Sequence, residues 1–145
     1  MLIDAAKSLP EVSFIIAGNG SMEDRIIGSN IHKVGFVKGR LLYTLIKNAE
    51  FVISPSVCTE TFGLSNGEAI KLGIPVITTD MGAFPETVTD ENGCLVQPGD
   101  TVALVRAVKE LWYDKGKSES LKNGCNNTEL LDSEQYGTII LKIYG

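Results

Sequence analysis

The sequence contains little of what marks several common classes of protein. Its three cysteines, Cys58, Cys94 and Cys125, are widely spaced and include no C-x-x-C motif, so neither a zinc site nor a disulfide framework is indicated. The formal net charge is −5, with 13 basic and 18 acidic residues. This balance argues against binding to nucleic acid, because affinity for a phosphate backbone requires clustered Lys and Arg. A reducing cytoplasm is the expected location.

Long apolar segments are also lacking. No run approaches the roughly 18 consecutive apolar residues that a membrane-spanning helix needs. Residues 1–7 lack the basic region and the apolar block of a secretory signal peptide. We therefore expect no transmembrane segment and no leader. The 145 residues, of which 43% are hydrophobic, are enough for one domain with an ordinary core.

Short apolar runs alternate with helical patterns along most of the chain. The runs are near-continuous, as expected for strands covered on both faces, and predict strands at residues 12–17, 34–37, 51–54, 76–78 and 94–96. Helices are predicted between them at 21–27, 41–49 and 64–72, and after the last strand at 102–112. This order predicts an α/β fold, a Rossmann-like and mainly parallel sheet with helices on both faces.

The predicted helix at 102–112 should bury one face. The apolar positions that define this face are Val102, Val105, Val108 and Leu111, widened by Leu104 and Trp112. Asp100 or Thr101 is available as its N-cap.

The two ends of the chain lead to a prediction about domain organisation. Residues 1–113 are predicted to form the Rossmann-like domain, starting inside its first crossover helix, because residues 4–9 have the pattern of a helix end and such domains normally open on a strand. Residues 114–127 are polar and rich in helix breakers, which indicates a loop or a poor helix. Residues 136–143 predict a terminal amphipathic helix, so that 114–145 packs on the same domain.

The segment from Glu60 to Glu68, E-T-F-G-L-S-N-G-E, is the most informative feature of the chain. It follows a predicted strand and opens a predicted helix, which is where α/β proteins hold phosphate groups. Gly63 permits close approach of the backbone, and the amides of Gly63, Leu64 and Ser65 would point at a negative ligand. An acid at each end of the turn could hold hydroxyl groups of a sugar or ribose on the same ligand.

A purely structural interpretation of these residues is a capping box. Ser65 would be the N-cap of the helix, and Glu68 would occupy its third position. Two glutamates eight positions apart carry little information by themselves, so the context of the segment decides between the two interpretations.

That context resembles a known signature. From Pro55 to Asp80 the chain has the pattern P-S-x-x-x-E-T-F-G-L-x-x-x-E-A-x-x-x-G-x-P-V-I-T-T-D. It is similar to the signature of family-4 retaining glycosyltransferases, which have the GT-B architecture of two Rossmann-like domains facing across a cleft. Further matches follow the same order at 14–20 (F-I-I-A-G-N-G), 34–37 (V-G-F-V), 82–86 (G-A-F-P-E) and 92–100 (N-G-C-L-V-Q-P-G-D). The resemblance covers nearly all of residues 2–111.

The resemblance implies that the chain is the C-terminal, donor-binding half of such an enzyme, which transfers a hexosyl group from a nucleotide-diphosphate sugar to a sugar, lipid or polysaccharide. It implies a catalytic role for Glu60, which would contact the transferred sugar or its phosphate. Backbone amides at Phe62, Gly63 and Leu64 would face the sugar hydroxyls and the diphosphate. Glu68 would hold the ribose hydroxyls.

The other donor-binding residues implied lie mostly elsewhere in the sequence. Gly18 would line the floor of the cleft, Phe36 and Val37 would border the base, and the amide of Ser65 would join those at the helix start. Neither a metal nor another cofactor is implied, because amides and basic side chains neutralise the diphosphate.

The chain departs from the family pattern mainly at its beginning. The strand that carries an Arg-and-Lys clamp for the diphosphate would precede residue 1, and so would the acceptor-binding N-terminal domain. The chain alone is therefore expected to be inactive. Lys38 and Arg40 are candidates to replace the clamp, with a solvated loop as the alternative. The alternative function is a non-catalytic half-domain that acts as an interaction module. A peripheral membrane contact of the full enzyme is compatible with both of these functions.

Overall fold

Strands and helices alternate along the chain in a computed structural model, which describes residues 1–59, 61, 63–130, 135 and 141. The strands are β1 (Phe14–Ala17), β2 (Ile31–Gly35), β3 (Val52–Ser54), β4 (Val76–Thr79) and β5 (Gly93–Val96). The α-helices are α1 (Leu2–Lys7), α2 (Gly39–Lys47), α3 (Leu64–Lys71), α4 (Phe84–Thr87), α5 (Thr101–Tyr113) and α6 (Lys115–Asn127). The helix predicted at 21–27 is reduced to a 3₁₀ turn at Glu23–Arg25.

Within the described residues the strands form two parallel sheets. One has the order β1-β2 and the other the order β3-β4-β5, and every pair of neighbours is parallel. Phe14 lies beside Ile31 in the first sheet, and Val76 lies between Val52 and Gly93 in the second. This arrangement confirms the α/β fold with parallel strands flanked by helices.

One hydrophobic core extends beneath both sheets. It joins α1 and α5 to residues of β1, β4 and β5, and its buried members are Ala5, Ala6, Leu9, Val12, Phe14, Ile77, Val96, Leu104, Ala107, Val108, Leu111 and Leu121. The Asn30 side-chain nitrogen lies within 2.9 Å of the carbonyl oxygens of Ala6, Leu9 and Val12, which ties the exit of α1 to the start of β2. A second cluster lies between α2, α3 and α6.

The buried face of α5 agrees with the predicted one except at Val102, since Val105 and Trp112 also pack against the core. Val102 is 71% exposed, whereas Leu104 and Ala107 are buried together with Val108 and Leu111. An α-helix has 3.6 residues per turn, so positions that recur every three residues shift gradually around its axis. A series that includes Val102 therefore does not stay on the buried face along the whole helix. The predicted cap is confirmed, because the Asp100 carboxylate accepts a 2.8 Å hydrogen bond from the amide of the third helical residue.

Of the two alternatives predicted for residues 114–127, a loop or a poor helix, the structure has the helix, because Lys115–Asn127 forms α6. Asp114 caps it, and Leu121 and Cys125 on one face are buried against the core clusters. Lys122 Nζ lies 3.0 Å from Glu50 Oε2, which lowers the pKa of that carboxyl. Tertiary packing therefore outweighs the low intrinsic helix propensity of this glycine- and asparagine-rich segment. The helix predicted at 136–143 lies outside the described residues.

None of the helices in the described part of the chain combines the length and the apolar character that a membrane crossing requires.

The three thiols are free but differ in their surroundings, and this leads to a first prediction. Cys58 is exposed, whereas Cys125 is buried and its Sγ donates to the carbonyl of Asn92 at 3.4 Å. Burial raises the pKa of Cys125 to about 11. We expect iodoacetamide at pH 8 to alkylate Cys58 and to leave Cys125 protonated and unmodified, because the thiolate is the reactive form. Peptide mass spectrometry of the folded protein measures both sites.

The same pKa shift predicts how stability depends on pH. The unfolded chain should release the Cys125 proton near the ordinary value of 9.0, whereas the folded chain holds it to about 11. The unfolded state therefore binds fewer protons in this interval, and the free energy of unfolding should fall as the pH rises through it. Cys125→Ser should flatten this slope, while Cys58→Ser should not. Equal alkylation of both thiols in the folded protein would contradict the buried position of Cys125.

Candidate functional site

The helix α3 begins in a left-handed turn. Gly63 precedes its first residue with φ 71° and ψ 52°, a left-handed conformation that glycine adopts at low cost. A Cβ at this position would lie 2.6 Å from Cε1 of Phe84. Gly63 supplies no side-chain cap, so among the described residues the N–H groups of Leu64 and Ser65 have neither a helical carbonyl nor a cap as partner. These donors can therefore serve a bound anion.

The capping-box interpretation is wrong. Because Gly63 is the N-cap, Ser65 is the second residue of α3 and Glu68 is the fifth. A Ser65 cap would require the helix to start two residues later. Glu68 is exposed and lies too far along the helix to reach the N-cap amide.

A cleft of about 750 Å³ opens at the carboxyl end of β3. Ligands of open α/β sheets bind at this end of the strands. Its lining comes from the end of β3, the following loop, the start of α3 and α4, and consists of Ser54, Pro55, Ser56, Thr61, Gly63, Leu64, Ser65, Glu68 and Phe84. Glu68 is the only ionisable side chain among them. Four predicted site residues, Gly63, Leu64, Ser65 and Glu68, thus share one cleft, while Glu60 and Phe62 lie outside the described residues.

The predicted residues at the first sheet form a separate group. Gly18 follows β1, and Phe36 and Val37 follow β2. The Gly18 amide donates to the carbonyl of Gly35 at 2.7 Å, so the two strand ends are joined, and the ring of Phe36 is 71% exposed. These three residues are not among the described residues that line the cleft. Like the cleft, these residues lie at the carboxyl ends of strands, but the strands are those of the β1-β2 sheet.

Sequence reasoning missed a set of polar side chains beneath the cleft. Thr78 Oγ1 donates to the carbonyl of Ser54 at 2.8 Å, and Thr79 Oγ1 donates to that of Ser56 at 2.5 Å. Asn66 is fully buried in α3 and donates to Thr78 Oγ1 at 3.4 Å, while its own Oδ1 has no partner among the residues that the structure describes. These bonds hold the exit of β3 against β4 and α3. The sequence signal that could have indicated this set is the pair Thr78 and Thr79 at the end of the otherwise apolar strand β4.

Basic side chains lie apart from the described lining of the cleft. Lys38 and Arg40 are exposed, and Arg40 stands in the first turn of α2, so the loop expected there is helical from Gly39 onward. Within the residues that the structure describes, no three His, Cys, Asp or Glu side chains converge as a metal site would require.

Comparison with known proteins identifies a family. Residues 1–114 match the family described as Glycosyl transferases group 1. An uncharacterised glycosyltransferase of Methanocaldococcus jannaschii is 35% identical over 119 residues, which cover 75% of this chain and 30% of that relative. The chain thus spans less than a third of that relative's length.

Solved structures share the backbone. Sucrose-phosphate synthase from Thermosynechococcus elongatus superposes with a TM-score of 0.84 at 24% identity, over 99% of this chain and 41% of that one. Anabaena HepE in complex with UDP-glucose gives a TM-score of 0.78 at 24% identity, over 87% of this chain and 38% of that one. At this identity the likeness shows the fold, which is that of GT-B glycosyltransferases. Because the family match covers most of its length, the chain belongs to the glycosyl transferases group 1 family.

Proposed function

We propose that this chain is the donor-binding half of a retaining glycosyltransferase of family 4. The enzyme would transfer a hexosyl group from a nucleotide-diphosphate sugar to a sugar, lipid or polysaccharide acceptor. One observation carries the proposal: the open N-terminus of α3 and the carboxylate of Glu68 belong to the same cleft. An anion and a set of hydroxyl groups can therefore be bound side by side.

The electrostatics of the cleft suit a diphosphate at the start of α3. The helix dipole places about half a positive charge there. No cap bond from a described residue uses the N–H groups of Leu64 and Ser65, so these groups are available to donate to phosphate oxygens. In a departing diphosphate, negative charge grows on these oxygens, and donors that are already aligned stabilise it. We propose that this stabilisation takes the place of a divalent metal.

The remaining roles complete the proposal. Glu68, exposed on α3, would accept hydrogen bonds from the ribose hydroxyls, and Glu60 would contact the transferred sugar. Phe36 offers an exposed ring against which a base can stack, with Val37 beside it. Gly18 leaves the floor between the strand ends open, because it has no side chain. HepE was solved with UDP-glucose, which supports a ligand of this class.

The isolated chain should bind the nucleotide weakly and transfer nothing. The described lining of the cleft holds no cation to offset the diphosphate. Positioning of the acceptor contributes much of glycosyl transfer, and we propose that a further N-terminal domain binds the acceptor. The three free cysteines support our proposal of a cytoplasmic location.

Titration with UDP, GDP and ADP, followed by amide NMR, tests the site. We expect shifts centred on Gly63, Leu64 and Ser65, with a dissociation constant on the order of 1 mM. Glu68→Gln should weaken binding of the preferred nucleotide about fivefold, because a hydrogen bond to a charged acceptor contributes about 1 kcal/mol more than one to the neutral amide that replaces it. Glu119→Gln, on the exposed surface of α6, is the matched control and should leave binding unchanged. Shifts confined to another surface would refute the proposed site.

A parallel assay of sugar transfer tests the expectation of inactivity. Robust transfer by the 145-residue chain alone would overturn it. A chain that ignores every nucleotide and elutes from gel filtration as a stable dimer would instead favour the interaction module.

A further inference from the structure

Asn66 is a buried polar side chain whose hydrogen-bonding capacity is mostly unused. It is the third residue of α3, and its solvent exposure is 0%. The side-chain amide carries two N–H donors and one acceptor oxygen. Among the described residues its nitrogen donates only to Thr78 Oγ1, at 3.4 Å, and its oxygen accepts no hydrogen bond. Burying an unpaired carbonyl oxygen destabilises a fold, so packing alone does not explain an asparagine at this position.

The orientation of this amide relates it to the candidate site. The nitrogen is the end that faces the Gly63 turn, because Nδ2 lies 3.6 Å from the place that a Cβ on Gly63 would occupy. The backbone N–H of Asn66 also donates to the carbonyl of Gly63 at 2.9 Å. Gly63 lines the cleft. The N–H end of the Asn66 side chain therefore lies directly behind the part of the cleft wall that Gly63 forms.

Thr78 connects the same side chain to the exit of β3. Its hydroxyl accepts the bond from Asn66 and donates to the carbonyl of Ser54 at 2.8 Å. Ser54 is the last residue of β3 and lines the cleft together with Gly63. Two hydrogen bonds in series therefore fix the direction of the Asn66 amide relative to both the start of α3 and the end of β3.

We propose that Asn66 is a positioning residue for the anion that binds at the start of α3. The bond to Thr78 holds the N–H end of the amide toward the Gly63 turn, and an anion in the cleft is attracted to that end. The amide dipole adds to the helix dipole in a region shielded from water, where fixed dipoles act strongly. The unpaired oxygen is the consequence of this orientation. This inference rests on the proposed function, since the anion would be the diphosphate of the donor.

A second buried asparagine has the contacts of a purely structural residue. Asn92 is 1% exposed, and its side-chain oxygen accepts a 2.9 Å bond from the N–H of Thr89. Its nitrogen donates to the carbonyl of Thr87 at 3.0 Å and to Thr128 Oγ1 at 3.1 Å. Both ends of this amide are therefore paired, and its removal would deprive backbone groups of their partners. Asn92 is the matched control for Asn66.

Asn66→Leu and Asn92→Leu test the proposal, with inorganic pyrophosphate as the probe. Leucine branches at the same carbon as asparagine and is the better helix former. In Asn66→Leu the Thr78 hydroxyl keeps its bond to Ser54, so the urea midpoint should equal or exceed that of the unsubstituted chain. Its dissociation constant for pyrophosphate should rise about fivefold, the effect of losing one neutral hydrogen bond. Asn92→Leu should lower the urea midpoint and leave the dissociation constant unchanged.

The NMR signals of the unsubstituted chain keep the test valid if Asn66→Leu does not fold. During a pyrophosphate titration the side-chain N–H signals of Asn66 should shift together with the backbone amides of Leu64 and Ser65, while the side-chain signals of Asn92 stay in place.

Three results would overturn the inference alone. One is a shift of the Leu64 and Ser65 amides that leaves the Asn66 signals unmoved. Another is a folded Asn66→Leu variant that binds pyrophosphate as tightly as the unsubstituted chain. The third is a folded Asn66→Leu variant whose urea midpoint falls as far as that of Asn92→Leu, because Asn66 would then have a structural role. An unsubstituted chain that binds no pyrophosphate at these amides would refute the proposed function, and this inference with it.

Discussion

Gly63→Ala should lower the free energy of unfolding by about 3 kcal/mol and should abolish detectable nucleotide binding. Two effects add at this position. A non-glycine residue at φ 71° is strained by about 1–2 kcal/mol. The new methyl group would also lie 2.6 Å from the ring of Phe84, an overlap of the kind that costs about 1–3 kcal/mol. Relief of the overlap moves the start of α3, and with it the amides of Leu64 and Ser65.

Urea unfolding and UDP titration measure the two effects of this substitution. Gly39→Ala is the matched control, since Gly39 also has a positive φ, 58°, but a Cβ there would meet nothing within 4 Å. In this control variant the free energy of unfolding should fall only by the backbone strain, and nucleotide binding should be retained. Phe84→Leu combined with Gly63→Ala should recover part of the loss, because the ring that causes the overlap is gone. If Gly63→Ala lowered the free energy of unfolding no more than Gly39→Ala does, and left nucleotide binding intact, the close packing of Phe84 on Gly63 would be contradicted.

Gly124→Ala should lower the free energy of unfolding by about 3 kcal/mol, through a different part of the fold. A Cβ at Gly124 would overlap the backbone carbonyl of Glu91. The new Cβ would meet the backbone of Glu91 and not a side chain, so no side-chain rotation can relieve the overlap. The helix α6 must then move away from the turn before β5, which strains the 3.1 Å bond between Asn92 and Thr128 and the contact of the Cys125 thiol.

Asn123→Ala controls for the change in helix propensity, because Asn123 is the exposed neighbour in the same helix. It should be neutral or stabilising by a few tenths of a kcal/mol, since alanine is the better helix former. Urea unfolding of the two variants compares them directly. The Gly124 variant should in addition expose Cys125 to alkylation. Equal stabilities of the two variants would exclude the close docking of α6 on the turn at 91–92.

Most of the architecture was predictable because strands buried on both faces leave continuous apolar runs. The five predicted strands all exist, with ends shifted by up to three residues, and the glycine-rich motif does open α3. The strand ends were harder to predict, since a period of two or an apolar run does not show where the backbone pairing stops. Within the candidate site, the grouping of Gly63 with Leu64, Ser65 and Glu68 follows from their closeness in sequence.

Other features depended on contacts between distant residues. The role of Phe84 at Gly63, and the threonines of β4 that hold the exit of β3, join residues far apart in the chain. The left-handed turn at Gly63 decided against a Ser65 cap, although the local pattern allowed either start. The helix α6 has a composition that disfavours a helix, and it forms because Leu121 and Cys125 are buried.

The order of residues alone was enough to determine the fold class, the family and the segment that opens the candidate site, because periodicity and short-range turn chemistry are local properties. Only the tertiary structure decided that 115–127 is helical, that Gly63 and not Ser65 is the N-cap of α3, and that the ring of Phe84 packs on Gly63. These features depend on which surfaces meet, and the free energy of burying them is a property of pairs of segments that no single stretch of sequence contains.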